Sequence, residues 1–259
     1  VIFRIEPAKP SKLDVAPLSA KSIKNIHGVL HKALKQAVLI GYLRTNPSEA
    51  CILPRIIRKE MHPLEEDQVA VFLREVQGHP HEYLYKIALF TGLREGEVLG
   101  LGWEHIDFQA GTLTVKRQLR REQKKGGGYY FSPPKNNKSR CLTLAPSVIQ
   151  LFRLQKLEQN SMRMEAGDAW EEHGLIFTNQ TGGYLSYRTV YDRFKRIVRN
   201  IGAPATRFHD LRHTFATMAL QNGVDVKTVS SMLGHYSAGF TLDTYAHVTT
   251  DAQLKAAQT

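Results

Sequence analysis

From Ser19 onward, apolar residues return at intervals of three and four: Ile23, Ile26, Leu30, Leu34, Ala37 and Val38. That spacing draws one face of an α-helix, and Gly41 is placed to end it as a left-handed cap. The opposite face carries Lys21, Lys24, Lys32 and Lys35, a pattern that suits either a solvated surface or a face laid against a phosphate backbone. One helix cannot bury its own stripe. The segment is therefore expected to belong to a small helical domain whose earlier helices lie outside the chain, or to pack on DNA or on the next domain. The proline-rich residues before Ser19 are expected to be extended or to be the frayed end of something longer.

The period is lost in ACILPRIIRKEMHP, residues 50–63, which predicts a linker. It returns with Leu64, Val69, Phe72, Leu73 and Val76, while Glu65, Glu66 and Asp67 occupy a first turn, where the helix dipole favours acids. A short helix follows over EYLYKIALF. In TGLREGEVLGLGW, Val98, Leu99 and Leu101 are expected inside, with Arg94 and Glu97 three apart on a neighbouring face. From Ile106 the period shifts toward two. IDF, a turn at QAG and TLTVKRQL predict a hairpin, REQKKGGG a loop tip, and PPKNN a turn into a strand ending at Leu144. Helical periodicity restarts at Pro146, GLIFTN predicts a short strand, and SYRTVYDRFKRIVRNIG predicts an amphipathic helix. Its inner positions are Val190, Phe194, Ile197 and Val198, and its outer ones are Arg188, Arg193, Lys195, Arg196 and Arg199. The fold class this predicts is mainly α with a small antiparallel β-sheet (α+β).

Charge narrows the partner. A net charge of +11, from 35 Lys and Arg against 24 Asp and Glu in 259 residues, points to a polyanion. A membrane surface is the weaker choice, because no apolar run approaches membrane-spanning length and no secretory signal is present, so a cytoplasmic location is expected. Cys51 and Cys141 lie far apart, without ligand spacing, and predict neither a disulfide framework nor a zinc site. With no cluster of carboxylates and no glycine-rich phosphate loop, no cofactor is expected, neither a metal ion nor ATP.

The richest chemistry lies between His209 and Tyr245. His209 and Arg212 are three apart, His235 follows a Leu-Gly step, and Tyr245 comes ten residues later. Three residues apart on a helix is one face, and a guanidinium fork matches phosphate. A tyrosine hydroxyl can attack phosphorus and conserve the phosphodiester's energy as a phosphotyrosine. With an ordinary pKa near ~10, that phenol needs donors preorganised around the developing phosphorane charge.

TGLREGEVLGLGW, HDLRHTFAT and LGHYSAGFTLDTYAHV, in this order and with a lysine on a turn between them, resemble the catalytic domain of the tyrosine recombinases, the phage integrase family. The likeness covers roughly residues 60 to 250 and is nearest to integrases of temperate phages and conjugative transposons. It implies a partial helical core-binding domain over 1–53, a linker over 54–62 and the catalytic domain over 63–259. An arm-type binding domain and part of the core-binding domain are expected before Val1.

The resemblance makes Tyr245 the nucleophile, Arg94 and Arg212 the phosphate clamp, and His209 and His235 the histidines that position phosphate and move the phenol proton. The resemblance also implies that a lysine on the hairpin turn protonates the leaving 5′ oxygen. Two residues compete for that role: Lys135 matches the family's usual place, and Lys138, nearer the strand, is assigned to phosphate. The DNA contacts expected are Lys21, Lys24, Lys32, Lys35, Lys138, Arg188 and Arg193, while Glu97 is expected to orient Arg94. The family further implies a clamp of two domains around double-stranded DNA, a homotetramer on the recombination site, and accessory DNA-bending or directionality proteins. His79, His81, His105, His173, His213 and His247 are read as ordinary, Tyr187 and Tyr191 as packing. Three rivals stand beside this reading: a type IB topoisomerase, a catalytically silent DNA-binding relative, and a basic module of unrelated fold.

Overall fold

A computed structural model describes residues 17–57, 61–122, 124 and 126–245. Contacts divide the chain into two compact units, Val1–Glu60 and Met61–Thr259.

In the first unit, α1 spans Ala20–Leu39, opened by Ser19, whose hydroxyl accepts from the Ser22 amide at 3.1 Å. Gly41 follows the helix with φ +80°, the left-handed conformation that a glycine adopts at no steric cost. No α1 residue is buried. Polar contacts hold the following turn to it: His27 Nε2 lies 3.0 Å from the Ser48 carbonyl, and Asn46 donates to the His31 carbonyl at 3.1 Å. The short 3-10 turn Pro47–Ala50 is thereby fastened to the helix.

The second unit carries the core. Its helices are α2 (Glu66–Glu75), α3 (Glu82–Thr91), α4 (Glu95–Leu99), α5 (Pro146–Ala166), α6 (Tyr187–Asn200), α7 (Asp210–Gln221) and α8 (Val226–Leu233), and a further helix runs through 238–245. Proline stands in the first turn of α5, where its missing N–H costs nothing. In α6 the buried residues are Val190, Phe194, Ile197 and Val198, the stripe that periodicity predicts. Phe72, Tyr85, Phe152 and Phe194 are fully buried, and the Tyr85 hydroxyl donates to the Val190 carbonyl at 2.8 Å.

The strands form two small sheets. In one, β1 (Ile106–Asp107), β2 (Thr112–Val115) and β5 (Arg140–Thr143) are antiparallel, with Ile106 opposite Leu113 and Val115 opposite Arg140. In the other, β3 (Gln118–Arg121) pairs with β4 (Tyr129–Ser132). Two strand expectations are corrected here. TLTVKRQL is not one strand: it breaks after Val115 and feeds both sheets. GLIFTN makes only isolated bridges, Gly102 with Leu175 and Thr178 with Tyr184, because Ile176 and Phe177 are held in the core by side-chain packing and the segment lacks a strand-length partner.

Candidate functional site

Four segments of the second unit build one polar site, beginning where α3 ends. Gly92 caps α3 with φ +62°, and a Cβ there would lie 2.6 Å from Phe215 Cδ1 and 2.8 Å from Leu233 Cδ2. Only glycine meets both demands. The chain then turns through Leu93 into α4, with Arg94 at the N-cap.

Glu97 is fully buried. Its Oε1 accepts from Arg94 Nη1 at 2.9 Å and Arg140 Nη1 at 3.0 Å; its Oε2 accepts from the Arg94 amide at 2.9 Å and Arg140 Nη2 at 2.7 Å. A carboxylate has about four lone-pair sites, so this one is saturated. Burial would raise the Glu97 pKa, but the bonds and charges of Arg140 and Arg94 outweigh it and hold the carboxyl near about 2. Arg94 keeps part of its side chain exposed, 21%, and therefore an accessible cationic face.

His209 stands at the N-cap of α7, and Arg212 lies in its first turn, as the three-residue spacing predicts. Arg212 is buried and donates to two carbonyls, Gly92 (2.8 Å) and Leu233. Burial, then the charges of Arg94 and Arg140, push against its cation, while Glu97 favours it. An anion entering here relieves that cost. Behind the helix start, buried Asp210 accepts from Arg207 Nε at 2.9 Å and Nη2 at 2.7 Å, a pair three residues apart that sequence reading passes over.

The C-terminus of α8 supplies the third segment. Gly234, φ +62°, ends the helix and leads to His235, whose Nδ1 lies 2.6 Å from Thr241 Oγ1. Burial, then the charges of Arg212 and Arg94, lower His235 to about 3. His209 is lowered too, by partial burial of its ring and by the same two arginines. Both shifts favour the neutral imidazole.

Tyr245 is buried, 1% exposed, in a small apolar cluster with Ala216, Leu220, Val229 and Leu233. Its hydroxyl lies 2.7 Å from His213 Nδ1. This corrects the reading of His213 as ordinary. His213 is one helical turn beyond His209, with ring centroids 5.1 Å apart, and that i,i+4 relation was the available signal. Burial lifts the Tyr245 phenol to about 12 against the opposing charge of Arg212, and burial lowers His213 to about 4. A neutral imidazole accepting from a neutral phenol is the arrangement these shifts favour.

Lys135 and Lys138 are both exposed in the connection that follows β4. That connection is a crossover between the two sheets, not the turn of a single hairpin, since β4 pairs with β3 and β5 with β2. Asn136, beside Lys135, donates to the Gly234 carbonyl at 3.1 Å and so holds the turn against the end of α8. Arg140, unremarked in the sequence, shares the inward face of β5 with buried Leu142, and a period of two was the signal for it.

Lys21, Lys32 and Lys35 are exposed on α1 and Lys24 is half-buried. Arg188 pairs with Asp192 at 3.4 Å, and Arg193 Nη1 lies 3.1 Å from His81 Nε2, burial and Arg193 having lowered that ring to about 4. His247 lies outside the described residues. Among the described residues, no group of three His, Cys, Asp or Glu is arranged to hold a metal ion, and no helix is long and apolar enough to cross a membrane.

Helices around two small antiparallel sheets, with Arg94, His209, Arg212, His235 and Tyr245 brought into one unit, define a tyrosine-recombinase catalytic domain. Residues 62–251 match the phage integrase family, and the chain belongs to that family. It is 30% identical over 257 residues to a XerC-like tyrosine recombinase of Caldanaerobacter subterraneus subsp. tengcongensis, covering 93% of this chain and 66% of that relative. It is 27% identical over 246 residues to the ICEBs1 integrase of Bacillus subtilis, covering 93% of this chain and 65% of that one. The chain thus spans just under two thirds of the length of these curated relatives. The integrase of transposon Tn1549, solved in complex with a circular intermediate DNA, superposes with a TM-score of 0.75 at 26% identity, covering 93% of this chain and 79% of the other.

Proposed function

We propose that this chain cleaves and rejoins double-stranded DNA as the working part of a site-specific recombinase that integrates and excises a mobile element. The observation that carries the proposal is the convergence of Arg94 and Arg212, two cations flanking a saturated carboxylate, beside a tyrosine already hydrogen-bonded to a neutral imidazole. Two clustered guanidiniums are electrostatically costly until an anion joins them. A phosphodiester suits that pair of cations, and its phosphorane suits it better, since charge grows as the attack proceeds.

In this reading the Tyr245 oxygen attacks phosphorus and the bond from phosphorus to the 5′ oxygen breaks, leaving a 3′-phosphotyrosine and a free 5′ hydroxyl. The phenol proton passes first to His213, too weak a base to hold it in the ground state, as the new P–O bond forms. Lys135 delivers a proton to the leaving oxygen. His209 and His235, neutral in the free site, take up charge as phosphate arrives and donate to its non-bridging oxygens. Rejoining is the reverse, with a 5′ hydroxyl from another strand as nucleophile, and needs no outside energy because the phosphodiester is conserved.

Lys21, Lys24, Lys32, Lys35, Lys138, Arg188 and Arg193 contact phosphates along the duplex, with Arg193 leaving His81 to do so. The partial core-binding domain covers 1–53 and the catalytic domain 63–259. The protein works in the cytoplasm, associated with the nucleoid, as a homotetramer on its site, with DNA-bending or directionality proteins as accessories. The DNA complex of the Tn1549 integrase supports the choice of partner.

A pool of randomised duplexes, nicked so that the released 5′-hydroxyl fragment diffuses away, tests this whatever the target sequence. The chain should become covalently linked to a recoverable subset, and Tyr245→Phe should link to none. Retention of DNA without any covalent product from the unmutated chain would leave only the silent DNA-binding reading.

A further inference from the structure

The C-terminal turn of α8 ends in three successive carbonyls, and each is taken by a side chain from a different segment. Arg140 Nε donates to Met232 at 2.8 Å, Arg212 donates to Leu233, and Asn136 donates to Gly234 at 3.1 Å. The last carbonyls of a helix have no partner within it and form the negative end of its dipole, so they are suited to hold cations. Arg140 belongs to two arrangements at once. Its Nε is anchored on this helix end, and its two Nη atoms fill half of the acceptor sites of Glu97. The side chain is 9% exposed and lies against Gly234, where a Cβ would come within 3.0 Å of Arg140 Cδ and 3.1 Å of Nη1.

The charge balance follows from those contacts. Arg94 and Arg140 are both cations on the single carboxylate of Glu97, so the trio retains one positive charge. Arg94 reaches Glu97 with only one side-chain nitrogen, because Arg140 occupies the remaining position on each oxygen. Without Arg140, Glu97 would have two empty acceptor sites in the interior and one remaining guanidinium to fill them. The bidentate pairing that arginine and carboxylate prefer would then turn Arg94 inward and cancel its charge.

We propose that Arg140 is a positioning residue for strand cleavage, which occupies Glu97 so that the guanidinium of Arg94 stays turned outward and uncompensated toward the phosphate. This rests on the reading of Arg94 as a phosphate ligand. It assigns Arg140 no contact with DNA.

The test compares Arg140→Met, Glu97→Gln and the double variant with the unmutated chain on a nicked duplex recovered from the randomised pool. Arg140→Met should bind that duplex with little change and trap it about a hundredfold more slowly, the scale of losing one preorganised donor. Adding Glu97→Gln should recover about tenfold of that rate, because the amide no longer captures Arg94. If the two losses multiply instead, Arg140 serves packing alone and the proposal falls. Should Arg140→Met fail to fold, the double variant, which removes both charges, is compared with Glu97→Gln alone: similar trapping rates uphold the proposal and a much slower double variant overturns it. If the unmutated chain traps no duplex, the recombinase reading fails, and the positioning claim is read separately in the free protein. The Arg94 Nε–H resonance in ¹⁵N spectra should then move in Arg140→Met and return in the double variant, and an unmoved resonance refutes the claim.

Discussion

Replacing His213 with leucine tests whether the contact with Tyr245 is a true hydrogen bond in a closed interior. The Tyr245 hydroxyl sits 2.7 Å from His213 Nδ1 while its ring is 1% exposed, so loss of the imidazole leaves a phenol O–H without water or partner. An unsatisfied buried polar group costs about 1–3 kcal/mol, and full burial puts His213→Leu in the upper half of that range. Tyr245→Phe instead strands an imidazole nitrogen that water reaches more readily, since His213 is only part-buried, and should cost nearer about 1 kcal/mol. In a unit the size of Met61–Thr259, 1 kcal/mol moves the melting temperature by about 2–4 °C, so the expected drops are about 4–12 °C for His213→Leu and about 2–4 °C for Tyr245→Phe. The double variant should lose less than the two drops together, because removing both partners leaves nothing unsatisfied. Urea unfolding of all four proteins gives the cycle directly. Additivity to within about 0.5 kcal/mol, or a larger loss for Tyr245→Phe than for His213→Leu, would refute the bond.

Two further outcomes follow from the geometry. Gly92→Ala should destabilise by about 2–4 kcal/mol and lower the urea midpoint accordingly, because φ +62° disfavours any Cβ and this one would meet Phe215 at 2.6 Å. Stability should also fall with acid. His213 and His235 are lowered to about 4 and about 3 from an ordinary value of 6.5, so the unfolded chain takes up their protons first; the stability from keeping them neutral is complete above 6.5 and lost as pH falls toward 4. Glu97, held near about 2, adds a second loss below 4.5. A urea midpoint that stays flat from pH 7 to 4 would contradict both assignments.

Periodicity reads the helices well because a 3.6-residue repeat is a local property: the apolar stripe of α6 and the acidic first turn of α2 depend on nothing elsewhere in the chain. The strands are less legible. Nothing in TLTVKRQL marks the break after Val115, since that is decided by which partner strand each half meets, β5 for one and β4 for the other. The family motifs lead to Arg94, His209, Arg212, His235 and Tyr245, and they leave out the residues that hold these in place. Arg140 looks like one more basic residue beside Lys138, and only its alternation with Leu142 and Leu144 shows that it points inward. His213 escapes notice because a second histidine in HDLRH has no distinct spacing to Tyr245, 32 positions away; only the fold brings them together.

Tyr245 is both the proposed nucleophile and a member of the hydrophobic interior. Burying an aromatic ring contributes about 1.5–3 kcal/mol, so the ring, keeping its bond to His213, spends on the order of a few per cent of its time or less released from that cluster. For the proposed nucleophile, attack on a passing phosphodiester would be limited by that fraction, and a bound duplex would have to supply the energy that frees the ring. Selection on Ala216, Leu220, Val229 and Leu233 therefore acts in two opposed directions. Any change that packs the ring more tightly yields a sturdier protein and a slower one.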